Sequence, residues 1–319
     1  MTGSSDGWMD AADLLAERPT PIDWLVEGVL PAGTVGDIYS APGVGKTALV
    51  TSLCLSIAYG AQTWFGHRIA CGSVWILGGE KSTRATWVRD LHRLAGPDHT
   101  ELDRERLTIA PATLGPLWAW ERDRWVQCKA HKEVRARARD IPPVLTVADT
   151  IGRVALGQNP IDIPQQQLLA LHLEELQQEI GGTLLTISHT NQSSSKDDVP
   201  QRLYFESRAG ANGIPGHLRW LMGITQLRQE EVVKRGLVDT AAQALGRIFL
   251  AAGVSKHNEM PAPKAGWTCY DPAIFEMTRE GRLAMTESAT QKNQKAVAAN
   301  KYRNKKVEIE VSDDCSIPF

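Results

Sequence analysis

Apolar and polar positions follow two alternating patterns along most of the chain. Short continuous apolar runs rich in β-branched residues predict buried strands, and stretches with apolar residues three or four positions apart predict helices between them. The predicted strands are Val35–Ser40, Ser73–Gly78, Arg106–Ile109, Val144–Asp149, Thr183–Ser188, Arg219–Ile224 and Arg247–Val254, and the predicted helices are Ala48–Tyr59, Thr83–Leu94 and Ile163–Glu179. This alternation is typical of an α/β fold with a mostly parallel central sheet flanked by helices.

The same patterns divide the chain into three parts. Residues 1–21 predict a short N-terminal leader with a helical piece at Ala11–Glu17. Residues 22–285 contain the alternating strands and helices and form the predicted α/β domain. Residues 286–319 are polar, rich in Lys, Asn and Gln, and acidic toward the end. That composition predicts a flexible C-terminal tail.

Composition narrows the class of protein. The 319 residues are 42% hydrophobic, enough to bury a sizeable core, and the net charge of −2 provides no overall basic field for nucleic acid, although a local patch would suffice. The five cysteines form no CxxC pair, so we expect reduced thiols and neither a zinc site nor a disulfide framework. The N-terminus lacks the features of a signal peptide, and no apolar run reaches the roughly 18 residues of a membrane span. A cytoplasmic protein with no membrane partner is expected.

Residues 40–47, SAPGVGKT, lie between a predicted strand and a predicted helix. This is the context of a phosphate-binding P-loop, and the alternative is a chance glycine-rich turn before an ordinary helix. Gly43 and Gly45 allow a tight backbone turn, so that several N–H groups and the helix N-terminus point at one anion. The segment therefore predicts binding of a nucleoside triphosphate.

Two side chains of the P-loop suit MgATP in particular. Lys46 places a positive charge at the β- and γ-phosphates, and the Thr47 hydroxyl is a suitable Mg²⁺ ligand. The strict pattern has glycine at the first position, where this chain has Ser40. The predicted ATP-binding residues are Ser40, Ala41, Pro42, Gly43, Val44, Gly45, Lys46, Thr47 and Ala48.

Two further strands deliver polar residues at their carboxyl ends. Asp149 ends Val144–Asp149, and at the end of a strand beside the P-loop it would hold Mg²⁺ as a Walker-B acid; the alternative is an N-cap for the residues after Thr150. His189 follows Thr183–Ser188, where a polar side chain can sense the γ-phosphate. A histidine satisfied by local hydrogen bonds is the other interpretation of His189.

Six segments between about residues 25 and 260 together resemble the RepA-type hexameric DNA helicases and their relatives, a RecA-core branch of the AAA-labelled ATPases of plasmids and phages. They are LPAGTVGDIYSAPGVGKTAL, VWILGGEKSTRATWVRDLHRLAG, VLTVADTIGR, LLTISHTNQ, SRAGANGIPGHLRWLMGI and VSKHN. The resemblance implies a RecA-like domain that assembles as a homo-oligomer, a hexameric ring or a filament, with ATP between subunits. It also implies single-stranded DNA as a partner.

The resemblance implies catalytic roles for further residues. Glu80 matches the acid that orients the attacking water in RecA-core ATPases, and the residues after Asp149 are not acids that could replace it. The alternative for Glu80 is an acid favoured by the dipole at the N-terminus of the helical Lys81–Leu94 segment. Arg208 matches an arginine finger supplied to the neighbouring subunit, with Arg219 as the second choice. Lys256 matches a second cation acting on the neighbouring site. For each cation the alternative is an ordinary surface position.

Two loops are expected to face the DNA channel of such a ring. The first is Ile151–Pro164, which contains Arg153, and the second is Gln192–Tyr204, which is polar in composition. Lys196 and Arg202 are the predicted phosphate contacts in the second loop.

A separate basic run, Lys129–Arg139, follows Trp118, Trp120 and Trp125. Interleaved basic and aromatic residues bind single strands in some proteins. A solvated helix with a tryptophan-lined inner face explains the pattern as well, and is the interpretation we favour.

The segment Asp313–Phe319 combines acidic residues with a closing Ile-Pro-Phe and resembles the protein-docking tail of bacterial single-stranded-DNA-binding proteins. Such a tail places an apolar anchor and its terminal carboxylate in a pocket with a basic rim. Cys315 and Ser316 separate the acids from the apolar anchor, which departs from that pattern. The resemblance implies a replication or repair protein as a further partner.

The leading hypothesis is an ATP-hydrolysing motor on single-stranded DNA, a ring helicase. Two alternatives use the same core: a phage-type recombination or annealing ATPase that coats single-stranded DNA, and a P-loop switch that binds no DNA.

Overall fold

The computed structural model describes residues 11–17, 21–78, 83–96, 102–190, 197–207, 213–258 and 266–286. The strands in these ranges are β1 Trp24–Val26, β2 Leu30–Pro31, β3 Val35–Ser40, β4 Thr63–Trp64, β5 His67–Arg68, β6 Val74–Leu77, β7 Leu107–Ile109, β8 Trp118–Glu121, β9 Arg124–Gln127, β10 Leu145–Asp149, β11 Ala155–Leu156, β12 Thr183–His189, β13 Trp220–Gln226, β14 Ile248–His257, β15 Ala273–Met277 and β16 Leu283–Thr286. The α-helices are α1 Ala11–Ala16, α2 Lys46–Ala58, α3 Arg84–Ala95, α4 Lys129–Asp140, α5 Ile151–Val154, α6 Ile163–Ile180, α7 Val199–Leu203, α8 Gly213–His217, α9 Gln229–Lys234 and α10 Ala241–Ala244. Two 3₁₀ turns occupy Ala112–Leu114 and Phe205–Ser207.

A central sheet organises the molecule. Its nine described strands run in the order β16-β15-β14-β13-β3-β12-β10-β6-β7. Neighbours from β13 to β7 are parallel, whereas β14, β15 and β16 extend the sheet in antiparallel fashion. The predicted α/β class with a mostly parallel sheet is therefore confirmed.

The order of the strands corrects one expectation. The strand that ends in Asp149 was predicted to lie beside the P-loop strand, but β12 lies between β3 and β10. The chain leaves β3, forms β6 and β10 further out, and returns through α6 to fill the gap with β12. Apolar runs identify strands without specifying their neighbours, because strand order depends on long-range pairing.

Helices cover both faces of the sheet. On one face α2 and α3 pack against alternate strand residues such as Ile38 and Val147. α2 is buried around most of its surface, with ten of its 13 residues buried, because the β4–β5 hairpin and α3 cover the side that faces away from the sheet. On the opposite face α4, α6 and α8 pack with the β8–β9 hairpin. β3 and β12 are therefore buried between the two helical layers.

The β8–β9 hairpin was not predicted from the sequence. Arg122 and Asp123 both have positive φ, 49° and 58°, as a two-residue turn of this kind requires, yet glycine is the usual signal for such a turn. Trp118 and Trp125 of this hairpin are buried beneath α4. The interpretation of the basic run as a solvated helix over a tryptophan-lined face is thus confirmed. None of the helices in the described ranges is long and apolar enough to cross a lipid bilayer.

Candidate nucleotide site

The P-loop connects β3 to α2. Gly43 and Gly45 have φ of 76° and 109°, in the left-handed region that favours glycine. Space is also limited at Gly45, where an added Cβ would lie 3.1 Å from Leu250 and 3.3 Å from Met277. Gly45 precedes the first residue of α2 and bonds through its carbonyl to the N–H of Leu49 at 3.0 Å. The loop therefore leads directly into the N-terminus of α2, where backbone N–H groups can bind an anion.

The position of Ser40 shows why the P-loop tolerates serine where the strict pattern has glycine. It is the last residue of β3, is fully buried, and donates its hydroxyl proton to the carbonyl of Ala41 at 2.9 Å. An extended backbone accepts any residue, so glycine is not required at this position.

His189 lies at the P-loop lysine. β12 pairs with β3 so that His189 is opposite Ser40, and the N–H of Thr190 donates to the carbonyl of Ser40 at 3.1 Å. The Nζ of Lys46, which is 4% exposed, is 3.2 Å from the Nδ1 of His189. An ammonium can only donate, so this bond requires Nδ1 to be the unprotonated nitrogen of the ring. The histidine is within reach of the group that Lys46 would bind.

Asp149 ends β10 on the α2 side of the sheet. Its Cα pairs with that of Ile187, and the residue is 2% exposed. Burial raises the pKa of the Cys54 thiol in α2, and the charge of Asp149 raises it further, which places the carboxylate near this helix. Asp149 and the hydroxyl of Thr47 supply oxygen ligands, the type that Mg²⁺ prefers. These residues fit the predicted metal.

Glu80 and Arg208 lie outside the described residues. β6 ends at Leu77, which pairs with Ala148, and an added Cβ at Gly78 would lie 3.4 Å from the carbonyl of Asp149. Gly78, the last described residue before this gap, therefore lies beside the end of β10. Residues 208–212 lie between the 3₁₀ turn Phe205–Ser207 and α8.

Lys256 caps α8. Its ammonium donates to the carbonyls of Pro215 at 2.6 Å and Gly216 at 3.1 Å, the last turn of that helix. Burial lowers the pKa of Lys256, and the nearby charge of Arg219 lowers it further. Arg219 directly precedes β13 and is exposed.

Part of the second predicted DNA loop is helical, and one of its predicted phosphate contacts is wrong. Arg202 lies in α7 and is 8% exposed, and its Nη2 donates to both carboxylate oxygens of Glu231, at 2.7 and 2.6 Å. A guanidinium held in this way is not presented to DNA. Lys196 lies outside the described residues. The first loop contains α5 and β11, and Arg153 is exposed there.

Asp37 is a functional candidate that sequence reasoning missed. It lies in β3, is fully buried, and accepts hydrogen bonds from Thr186 and Ser188 of β12. The sequence does contain a signal for Asp37, because an acidic residue in the middle of an apolar strand requires buried hydrogen-bond partners.

The P-loop at the end of β3 and the polar residues ending β12 and β10 define the class of this protein, a P-loop ATPase with a RecA-like core. Residues 5–195 match the family described as the AAA domain, and the chain belongs to that family.

Two solved structures have a similar fold. One is described as a DnaB-like replicative helicase and its interactions with primase, with 11% sequence identity and a TM-score of 0.51; the match covers 79% of this chain and 57% of that one. The other is described as an ATPase domain, with 12% identity and a TM-score of 0.50, covering 80% of this chain and 85% of that one. This chain thus spans little more than half of the DnaB-like helicase chain, and the likeness concerns the fold.

Proposed function

We propose that the protein is an ATP-driven motor on single-stranded DNA, a replicative helicase of the RepA type that acts in the cytoplasm as a homo-oligomeric, hexameric ring. The proposal rests on one observation: the residues predicted to act on the nucleotide follow the carboxyl ends of neighbouring strands of the sheet. β3, β12, β10 and β6 are consecutive in the sheet, and they lead to the P-loop, His189, Asp149 and residues 79–82. In open α/β sheets, ligands bind at the carboxyl ends of the strands.

Each residue has a role in the proposed cycle. Lys46 and the P-loop amides bind the phosphates, while Thr47 and Asp149 would hold Mg²⁺, which would neutralise charge on the phosphates. Glu80 orients the attacking water. His189, beside Lys46, responds to the γ-phosphate and communicates its presence along the chain that follows β12.

A neighbouring subunit completes the proposed site. Arg208 from that subunit would stabilise negative charge on the transferred phosphoryl group. Lys256, which holds the last turn of α8, would act at the same interface. An oligomer follows from this sharing, because a site divided between subunits requires more than one copy of the chain. The number six comes from the resemblance to hexameric helicases.

DNA contact is proposed at the loop after β10. Arg153 is exposed there, together with the apolar side chains of Leu156 and Ile161, which are 59% and 77% exposed. Phosphates would bind the cation, and bases would pack against the apolar groups. The segment Asp313–Phe319 is proposed to dock a replication or repair protein and lies outside the described residues.

The test is ATP hydrolysis with and without single-stranded DNA. We expect DNA to stimulate hydrolysis, and we expect Glu80→Gln and Arg208→Ala to lower kcat by about 100-fold or more, because each removes stabilisation found only in the transition state. Glu121→Gln and Arg139→Ala, which alter exposed residues of β8 and α4, are the matched controls and should keep full activity.

The outcomes separate the candidate functions. Unwinding of a forked duplex would support the helicase, whereas DNA-stimulated hydrolysis with annealing and no unwinding would support the recombination ATPase. Hydrolysis that ignores DNA, or that survives Arg208→Ala, would contradict the ring motor and favour a P-loop switch.

A further inference from the structure

Asp37 joins the P-loop strand to its neighbour through side chains. Its Oδ1 accepts the hydroxyl proton of Thr186 at 2.6 Å, and its Oδ2 accepts that of Ser188 at 2.6 Å. Thr186 also lies 3.3 Å from the carbonyl of Gly36. All three side chains are at most 5% exposed.

These bonds are strong for their type. A distance of 2.6 Å between a hydroxyl and a carboxyl oxygen is typical of charge-assisted hydrogen bonds. Exclusion from water strengthens them and makes their loss costly, since a buried carboxylate oxygen without a partner is strongly disfavoured. The end of β12 is therefore held to β3 by side chains as well as by the backbone ladder.

The location of the bonds connects them to the nucleotide site. Ser188 directly precedes His189, and alternation along the strand directs Ser188 to the face of Asp37 and His189 to the face of α2, where it contacts Lys46. Along β3, Asp37 is three residues before Ser40, where the P-loop begins. The carboxylate thus lies three residues before the P-loop in β3 and bonds the residue that precedes His189 in β12.

We propose that Asp37 is a positioning residue for nucleotide hydrolysis, acting through Ser188 to set the location of His189 relative to the phosphate-binding Lys46. The proposal rests on the proposed function only in requiring that this site binds and hydrolyses a nucleoside triphosphate. It does not depend on DNA.

The geometry predicts different effects on binding and turnover. P-loop amides provide most of the binding of the α- and β-phosphates, so removal of the Ser188 hydroxyl should change the dissociation constant for ADP by less than about 2-fold. A displacement of His189 by a fraction of an ångström should lower kcat by about 10-fold, because active groups must be placed within tight limits.

The experiment compares four proteins without DNA: the unmodified chain, Ser188→Ala, Ser188→Thr and Thr183→Val. Ser188→Thr keeps the hydroxyl and should restore most of kcat. Thr183→Val is the matched control, because Thr183 is a buried hydroxyl on the same strand that bonds Gly33 and Pro31 at the end remote from the P-loop. It should reduce thermal stability about as much as Ser188→Ala while leaving kcat unchanged.

A double-mutant cycle tests whether Asp37 acts through Ser188. Asp37→Asn, Ser188→Ala and the combined variant should show strong non-additivity in kcat, since the second change removes a bond that the first has already weakened. Additive effects, equal losses in Ser188→Ala and Thr183→Val, or no recovery in Ser188→Thr would each overturn the proposal.

A binding measurement distinguishes this failure from failure of the proposed function. The ratio of dissociation constants for ADP and a non-hydrolysable ATP analogue reports contact with the γ-phosphate without turnover. We expect Ser188→Ala to reduce the preference for the triphosphate by about 3- to 10-fold, with Thr183→Val unchanged. If the unmodified protein binds neither nucleotide, the proposed function itself is wrong; an unchanged ratio in Ser188→Ala rejects only the role of Asp37.

Discussion

His131 lies in α4 with its ring against the indole of Trp118, the two centroids 5.4 Å apart. Its pKa is lowered from 6.5 to about 4, chiefly by burial and then by the nearby charges of Arg135 and His172, against a smaller opposite effect of Glu175. The folded protein therefore favours the neutral imidazole. Protonation would place a charge in the layer between α4 and the sheet.

The lowered pKa of His131 predicts that the protein loses stability in mild acid. The folded-state pKa lies below the unfolded-state value. The stability that the neutral imidazole contributes is therefore fully present above pH 6.5 and is lost as pH falls toward about 4. Linkage gives about 2 kcal/mol of unfolding free energy lost between pH 7 and pH 5. His131→Phe, which keeps an aromatic ring, should remove that part of the pH dependence in urea unfolding.

The control for this measurement is His92→Gln, which changes an exposed histidine of α3 and should keep the pH dependence of the unmodified protein. Equal pH dependence in His131→Phe and the unmodified protein would show that the buried imidazole does not couple stability to pH.

At the scale of elements, an ion pair joins α7 to α9. Arg202 bonds both carboxylate oxygens of Glu231 in α9 and also donates to the carbonyl of Gln226 at 3.3 Å. Glu231 in turn accepts the N–H of Arg228 at the start of α9. The pair thus orients α7 and α9 together at the end of β13.

Breaking this pair from one side should destabilise the domain. Arg202→Met leaves the Glu231 carboxylate largely buried without its guanidinium and should cost about 3 kcal/mol in unfolding free energy. The combined change with Glu231→Gln, which keeps an oxygen for the Arg228 N–H, should recover most of that loss. DNA affinity of the folded double variant should be unchanged; a matched loss of affinity would restore Arg202 as a phosphate contact.

At the scale of the whole molecule, the proposed site is divided between subunits, which gives a mixing prediction. Glu80→Gln subunits lack the water-orienting acid but can supply Arg208, and Arg208→Ala subunits have the reverse defect. If subunits mix at random, about a quarter of the interfaces combine an intact acid with an intact arginine. A mixture of the two inactive variants should therefore recover about a quarter of full activity.

The control is each variant mixed with itself at the same total concentration, which should remain inactive. Exchange of subunits is demonstrated by fluorescence transfer. If the mixture then recovers no ATP hydrolysis, Glu80 and Arg208 either act in the same subunit's site or do not both act in the site.

Most of the fold was predictable because strands and helices have local signatures. β3 and α6 fall within one residue of their predicted bounds, and the AAA domain family supports part of the stated resemblance. The β8–β9 hairpin was missed because its turn uses Arg122 and Asp123 at positive φ rather than glycine. Its tryptophans were nevertheless expected to line the inner face of the basic helix, and they pack beneath α4 and α6.

The candidate site divides in the same way. The P-loop, Asp149 and His189 were predictable because phosphate binding uses short motifs at strand ends, whose backbone conformation is local. Arg202 was misassigned because its charge suggested phosphate, while its partner Glu231 is remote in the chain.

The sequence by itself determined the secondary structure of the core and the chemistry of the P-loop, since periodicity and glycine spacing act over a few residues. Only the tertiary structure decided that β12 lies between β3 and β10, that His189 meets Lys46, and that Asp37 holds Ser188. The physical reason is that β12 meets β3, His189 meets Lys46 and Ser188 meets Asp37 across more than a hundred positions of the chain. These contacts are sheet pairings and buried hydrogen bonds that exist only once the chain has folded.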